Sequence, residues 1–254
     1  MPSGTIISFK NFRKEYKDLT AVKGLDLDIK KGEFFGLLGP NGAGKTTTIS
    51  ALVGLVKLTS GSITVKGHDS VKDYKKVHAL IGLAPQEENL DFWFLNVREI
   101  LVYHAGYFGI PQKEAGKKAD DLLKMMDLWE KRSSKVMELS GGMKRRLLLA
   151  RAMMHGPEII VMDEPTAGAD VELRRKLWKY IKLLNREGKT IILTTHYLEE
   201  AETLCDRVAI MNKGEIVAMG TPEELKENTK IKGMAAGKGR LEDVYMNLIR
   251  EEES

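Results

Sequence analysis

Apolar residues recur along this chain in two rhythms. Near the start they alternate with polar ones in Ile6-Ile7-Ser8-Phe9 and again in Leu25-Asp26-Leu27-Asp28-Ile29, before a Lys31-Gly32 turn. Period-two patterning of this kind predicts antiparallel strands. Phe34–Leu38 is a compact apolar run that enters a glycine-rich turn, and helical spacing follows through Ile49, Leu52, Val53 and Val56. Ser62–Val65 and Ile81–Ala84 predict further strands. From about Asn96 to Met154 the rhythm is helical: Val97, Ile100, Leu101 and His104 share one face, and Leu122, Leu123 and Met126 another. Strands then return at Ile159–Met162, Thr190–Thr194, Val208–Met211 and Ile216–Met219, with helices Leu173–Asn185 and Leu198–Leu204 between them. That order predicts an α/β fold: a mainly parallel sheet flanked by helices, an N-terminal antiparallel β subdomain and an inserted helical subdomain. The expected boundaries are 5–90 and 156–228 for the α/β core with its β subdomain, 91–155 for the helical insert, and 231–254 for a loose connector and a short terminal helix. Leu241, Val244, Tyr245 and Leu248 stripe that helix.

Composition narrows the class. In 254 residues, 43% are hydrophobic and 30% charged, which is globular usage. The 40 basic and 36 acidic side chains leave a net charge of +4, milder than a dedicated nucleic-acid binder carries, so no nucleic-acid partner is expected. A single cysteine, Cys205, excludes an internal disulfide and suits a reducing compartment. No stretch approaches the ~20 apolar residues of a spanning helix, and Met1-Pro2-Ser3-Gly4 carries no charged cap followed by an apolar core, so no signal peptide is expected. The expected location is cytoplasmic, with any membrane role exercised by docking.

The chemistry begins at Gly39-Pro40-Asn41-Gly42-Ala43-Gly44-Lys45-Thr46, which fits the phosphate-binding pattern of a P-loop. It follows the strand Phe34–Leu38 and opens a helix. The glycines let successive backbone N–H groups converge, and the helix N-terminus adds partial positive charge. Lys45 is placed to bridge the β- and γ-phosphates, Thr46 to ligate Mg²⁺, and Thr47 to reach the α-phosphate. A magnesium-bound triphosphate needs a further carboxylate, and Asp163 supplies it at the end of the apolar run Ile159–Met162. Glu164 follows at once, suited to polarise the attacking water as a general base.

Leu139-Ser140-Gly141-Gly142-Met143 makes the pattern specific. With the P-loop, Gln86 after the strand Ile81–Ala84, Asp163-Glu164-Pro165-Thr166-Ala167-Gly168-Ala169-Asp170 and His196 after the strand Ile191–Thr194, the chain resembles the ATP-binding subunit of an ABC (ATP-binding cassette) transporter. The resemblance runs over about residues 5–228 and implies a P-loop NTPase core, with residues 1–230 as one ATP-binding domain. Ser140 reads from the sequence as a helix N-cap, a second anion site in the same chain. The resemblance implies that two copies pair head to tail, so that Ser140, Gly141 and Gly142 of one cover the γ-phosphate held on Lys45 of the other. It further implies that Tyr16 stacks on adenine, Gln86 senses Mg²⁺ and the attacking water, Asp170 organises the contact between copies, and His196 holds the γ-phosphate and steadies Glu164. The implied partners are a second copy of the chain and separate integral-membrane permease subunits, at the inner face of the cell membrane.

Met143 stands where many members of the family carry Gln, and Ala169 where Leu or Val is usual. The string Met143-Lys144-Arg145-Arg146-Leu147 and the later Leu241-Glu242-Asp243-Val244-Tyr245 resemble the bacterial drug- and polysaccharide-export branch. Phe92-Trp93-Phe94 is expected either to meet the membrane partner or to plug the helical core. Lys144–Arg146 and Arg174–Lys176 read as at least half solvated, and Met125, Met126, Met153 and Met154 as core filling. His68, His78, His104 and His155 show no metal-like spacing. The rival reading is a soluble ABC ATPase working on DNA, ribosomes or iron–sulphur assembly. A nucleotide switch without turnover is a third, against which Glu164 and His196 weigh.

Overall fold

The computed structural model describes residues 4–86, 94–228 and 240–250. Along the chain run β1 (Thr5–Tyr16), β2 (Leu19–Lys30), β3 (Phe34–Leu38), α1 (Lys45–Leu52), β4 (Ser60–Val65), β5 (His68–Asp69), α2 (Tyr74–Leu80), β6 (Ile81–Ala84), α3 (Val97–Gly106) and α4 (Gln112–Met125). There follow α5 (Gly141–Met153), β7 (Ile159–Asp163), α6 (Val171–Arg186), β8 (Thr190–Thr195), α7 (Leu198–Leu204), β9 (Arg207–Asn212), β10 (Glu215–Gly220), α8 (Pro222–Asn228) and α9 (Leu241–Arg250). The chain divides into two compact units, Met1–Val77 with Thr190–Ser254, and His78–Lys189.

The first unit carries two layers of strand. An antiparallel sheet orders β2-β1-β4-β5, with Phe9 opposite Leu27 and Ile7 opposite both Ile29 and Val65. The strands are longer than the apolar alternation suggests. Asn11 takes a positive φ, the register slips between Phe9 and Phe12, and both rings are buried although three positions apart. A bulge of this kind adds a residue and shifts the phase of the period-two pattern. The other layer orders β10-β9-β3-β8, with β3 parallel to both β8 and β9 and a hairpin joining β9 to β10. Every residue of β3 and β8 is buried, which is why neither alternates apolar with polar positions. Helix α1 stops at Leu52, short of Val56, because Gly54 turns the chain at φ 73°. Val244 and Leu241 bury one side of α9, as the stripe predicts.

The second unit pairs β6 with β7 in parallel, Ile81 beside Ile159 through Ala84 beside Met162. Around the pair lie α3, α4 and α5. Val97, Ile100 and Leu101 are fully buried, as are Leu123 and Met126, while His104 is half-buried. Of the four methionines read as core, Met126 and Met154 are buried and Met125 and Met153 only partly so. An Asn96 capping box starts α3: its side chain accepts from Glu99 N–H while Glu99 accepts from Asn96 N–H. No helix among the described residues is long and apolar enough to cross a membrane.

Candidate functional site

In the first unit, β3 delivers the chain into the loop Gly39–Gly44. The loop is built on backbone contacts too close for side chains. A Cβ on Gly39 would lie 2.3 Å from the Met211 carbonyl oxygen, and one on Gly44 2.5 Å from that of Ala21. Gly42, at φ 82°, meets nothing within 4 Å and faces open space. Thus two glycines are demanded by neighbouring strands, and the third leaves room outside the loop. Ala43 N–H closes a turn onto Pro40 O at 3.2 Å, while Asn41 is exposed. Gly39 N–H donates to Thr195 O at 3.2 Å, so the loop is tied to the end of β8 one residue before His196.

Helix α1 begins with Gly44 as N-cap at φ 101°, and no side chain caps it. Its first N–H groups are left to backbone and ligand partners. Lys45 is 5% exposed, and its ammonium folds back onto Gly39 O at 2.8 Å and Pro40 O at 3.1 Å. Those carbonyls hold the charge at the mouth of the loop. Thr46 is exposed and Thr47 half-buried. Tyr16 ends β1 with its ring 42% exposed and Lys14 Nζ 4.5 Å from the centroid. His196 is half-buried, with its ring 4.1 Å from that of Tyr197.

In the second unit, β7 ends at Asp163 and Glu164, which are 4% and 7% exposed. Glu164 sits at φ 46°, a left-handed conformation that a non-glycine residue adopts at a cost. Ala167 N–H closes a turn onto Glu164 O at 3.1 Å. The Gln86 amide nitrogen donates to Glu164 Oε2 at 3.2 Å, so the structure brings these two sequence-predicted residues together. Ser140 caps α5, accepting from Met143 N–H at 3.3 Å, and both Ser140 and Gly141 are exposed. Asp170 caps α6 in the same way, accepting from Leu173 N–H at 2.8 Å. The two corners interlock: a Cβ on Gly142 would lie 2.5 Å from Leu173 Cδ2.

One reading needs correction. The run Lys144–Arg146 is not half solvated; all three residues are half-buried. Arg145 donates to Pro85 O and Gln86 O, and Arg146 to Met126 O and Asp127 O. Asp127 in turn accepts from Tyr180 OH at 2.7 Å, an arrangement whose burial pushes the Tyr180 hydroxyl up to about 12, with the Asp127 contact adding to the shift. Such ties run from side chain to carbonyl and leave no periodic trace in the sequence. In the second run, Arg175 and Lys176 are exposed as expected. Phe94 is 55% exposed, while Phe92 and Trp93 lie outside the described residues.

Comparisons with known proteins agree on one family. The family model described as ABC transporter matches residues 22–167. The linearmycin resistance ATP-binding protein LnrL of Bacillus subtilis (strain 168) is 44% identical over 87% of this chain and 70% of its own length. The Nod factor export ATP-binding protein I of Burkholderia orbicola is also 44% identical, over 87% of this chain and 73% of its own. Among solved structures, an ATP-binding subunit of an ABC transporter superposes with a TM-score of 0.85 at 26% identity, covering 96% of this chain and 99% of that one. A dimeric ATP-binding cassette in a post-hydrolysis state, bound to ADP and phosphate, gives 0.78 at 29% identity over 85% of this chain and 98% of the other. The α/β core with its antiparallel N-terminal sheet is therefore the P-loop NTPase fold, and the chain belongs to the ABC transporter family, as an ATP-binding and ATP-hydrolysing subunit of the export branch.

Proposed function

We propose that two copies of this chain close head to tail on two Mg²⁺-ATP and that the closure drives separate integral-membrane permease subunits in export. In each site one copy supplies the loop Gly39–Gly44 with Lys45, Thr46 and Thr47, and Tyr16 stacks on adenine. The other copy supplies Ser140, Gly141 and Gly142, whose helix N-terminus meets the γ-phosphate. Asp170 organises the contact between copies. Glu164 accepts a proton from the attacking water as its oxygen bonds to the γ-phosphorus and the bond to the ADP oxygen breaks. Buried and held by the Gln86 amide, the carboxylate is aimed before substrate arrives. His196 holds the γ-phosphate and steadies Glu164.

Thr46, Asp163 and Gln86 would hold the metal, and a hydroxyl, a carboxylate and an amide oxygen are donors that suit a hard cation. Mg²⁺ there neutralises phosphate charge.

The observation that carries the reading is the exposed, capped corner at Ser140–Gly141, at the N-terminus of α5. The relatives' names, linearmycin resistance and Nod factor export, support export as the direction. A cassette of this kind works as a peripheral subunit on the cytoplasmic face of the membrane. Glu164→Gln tests it: turnover falls by at least about 100-fold while ATP binding persists and the nucleotide-bound dimer accumulates on size exclusion. Turnover at the wild-type rate removes Glu164 as general base.

A further inference from the structure

Arg145 lies within the first turns of α5, the helix that begins at the Ser140–Gly142 corner. Its Nη1 donates to Pro85 O at 3.3 Å and to Gln86 O at 2.5 Å. Together with Pro85, Met162 and Pro165, it lines an apolar pocket at the end of β7. Pro165 directly follows Glu164, and Gln86 is the residue whose amide donates to that carboxylate at 3.2 Å. Thus one guanidinium from α5 holds the backbone of the residue that holds Glu164.

We propose that Arg145 is a positioning residue for hydrolysis. By tying α5 to the Gln86 carbonyl it fixes the Gln86 amide on Glu164, and it links the Ser140–Gly142 corner of each copy to the carboxylate of that same copy. The chemistry favours arginine. A guanidinium is planar, stays charged at every working pH, and makes directional charge-assisted bonds to carbonyls. Gln86 itself is exposed and its side chain has several torsions to wander through. Fixing its carbonyl fixes the base from which those torsions start. A shift at the corner, when it meets the neighbouring copy's nucleotide, then reaches Glu164 through two hydrogen bonds. The inference rests on Glu164 being the general base.

The test is steady-state ATP turnover by the full chain for Arg145→Met, Arg145→Lys, Gln86→Ala, the Arg145→Met/Gln86→Ala double variant and Glu164→Gln, each with a thermal melt. Arg145→Met should lower kcat about 10-fold with KM for ATP within about 2-fold, and Arg145→Lys should recover part of the loss. The double variant should be no slower than Gln86→Ala within about 2-fold, because both changes break one chain of contacts. Cooperativity in ATP should fall along with kcat. Losses that multiply in the double variant, a raised KM with unchanged kcat, or wild-type turnover in Arg145→Met would each overturn the proposal. If Arg145→Met melts below the assay temperature, the kcat and KM of Arg145→Lys decide by the same split. Glu164→Gln keeps the two failures apart: wild-type turnover there sinks the general base, whereas its loss beside fully active Arg145 variants sinks only the role given to Arg145.

Discussion

Among the described residues, the N-termini of α1 and α5 are suited to phosphate, and they are built in opposite ways. Helix α1 starts from a left-handed glycine with no side-chain cap, and its lysine is buried against the carbonyls of the preceding loop. Helix α5 starts from an extended serine whose hydroxyl caps the helix, and Ser140 and Gly141 are exposed. The first has no side-chain cap and keeps a cation at the mouth, as a primary binding site requires. The second satisfies part of its own end with the Ser140 hydroxyl and is exposed at Ser140 and Gly141. Each reaches the same dipole by a different local sequence, and on the function proposed above the difference separates a site that grips a ligand from a surface that covers one.

The largest effects should come from changing charge at either start. Lys45→Ala should weaken ATP binding by at least about 100-fold, since it removes the ammonium held at the loop's mouth. Ser140→Asp keeps a good N-cap, so its melting temperature should stay near wild type. It also sets a carboxylate where the proposed function puts the neighbouring copy's γ-phosphate. Equilibrium dialysis should show ATP bound by the single chain, and sedentation by ultracentrifugation should show no nucleotide-dependent dimer. If Ser140→Asp dimerises normally, the corner does not face phosphate and the contrast between the two helices loses its functional meaning.

Acid probes the far end of α5. His155 stacks on Phe108 at 3.8 Å with the rings 4° from parallel, and its Nε2 donates to Ile81 O at 3.0 Å. Burial pushes His155 down to about 4, with Lys118 and Lys189 adding to the shift and the Ile81 contact opposing it. Burial also pushes His104 to about 4, helped by Arg151 and by His155 itself. A histidine whose folded value lies below its free value of 6.5 is protonated first in the unfolded chain. Stability is therefore full above pH 6.5 and declines as pH falls towards 4, by about 2 kcal/mol for the pair once partial exposure is discounted. Urea midpoints at pH 7 and pH 5 measure the decline, and replacing both histidines with Gln should flatten it.

Much of this was legible because the patterns that carry it are local. The bounds of β3, β6 and α7 match the predicted ones residue for residue. Gly39–Thr46 and Ser140–Gly142 announce helix starts by composition alone. What stayed hidden depends on partners distant in sequence. The phase slip after Phe9 comes from the Asn11 bulge, which no alternation can show. Helix α2 buries only Val77 and so has no stripe to read. Arg145 and Arg146 look solvated because a charged run on a helix usually is, and their carbonyl partners have no side-chain identity to betray them. The positive φ of Glu164 is equally silent, since glutamate is no signal for a left-handed turn.

The smallest effect sharpens the contrast most. Gly142 has two possible reasons to be glycine: Leu173 presses on it from α6, or a partner's phosphate needs the space. An alanine Cβ would lie 2.5 Å from Leu173 Cδ2 and 3.2 Å from Cδ1. Both are ends of a side chain that can change rotamer, and alanine also favours the helix by up to about 1 kcal/mol. The two terms oppose, so Gly142→Ala should change stability by less than about 1 kcal/mol. Any large loss of turnover then has a cause other than unfolding. Adding Leu173→Ala removes the side chain that meets the new Cβ. If turnover returns in the double variant, the glycine serves the packing of α5 against α6. If turnover stays low with a wild-type melt, the room is needed outside the chain, and α5 presents its start to a ligand that α1 of another copy already holds.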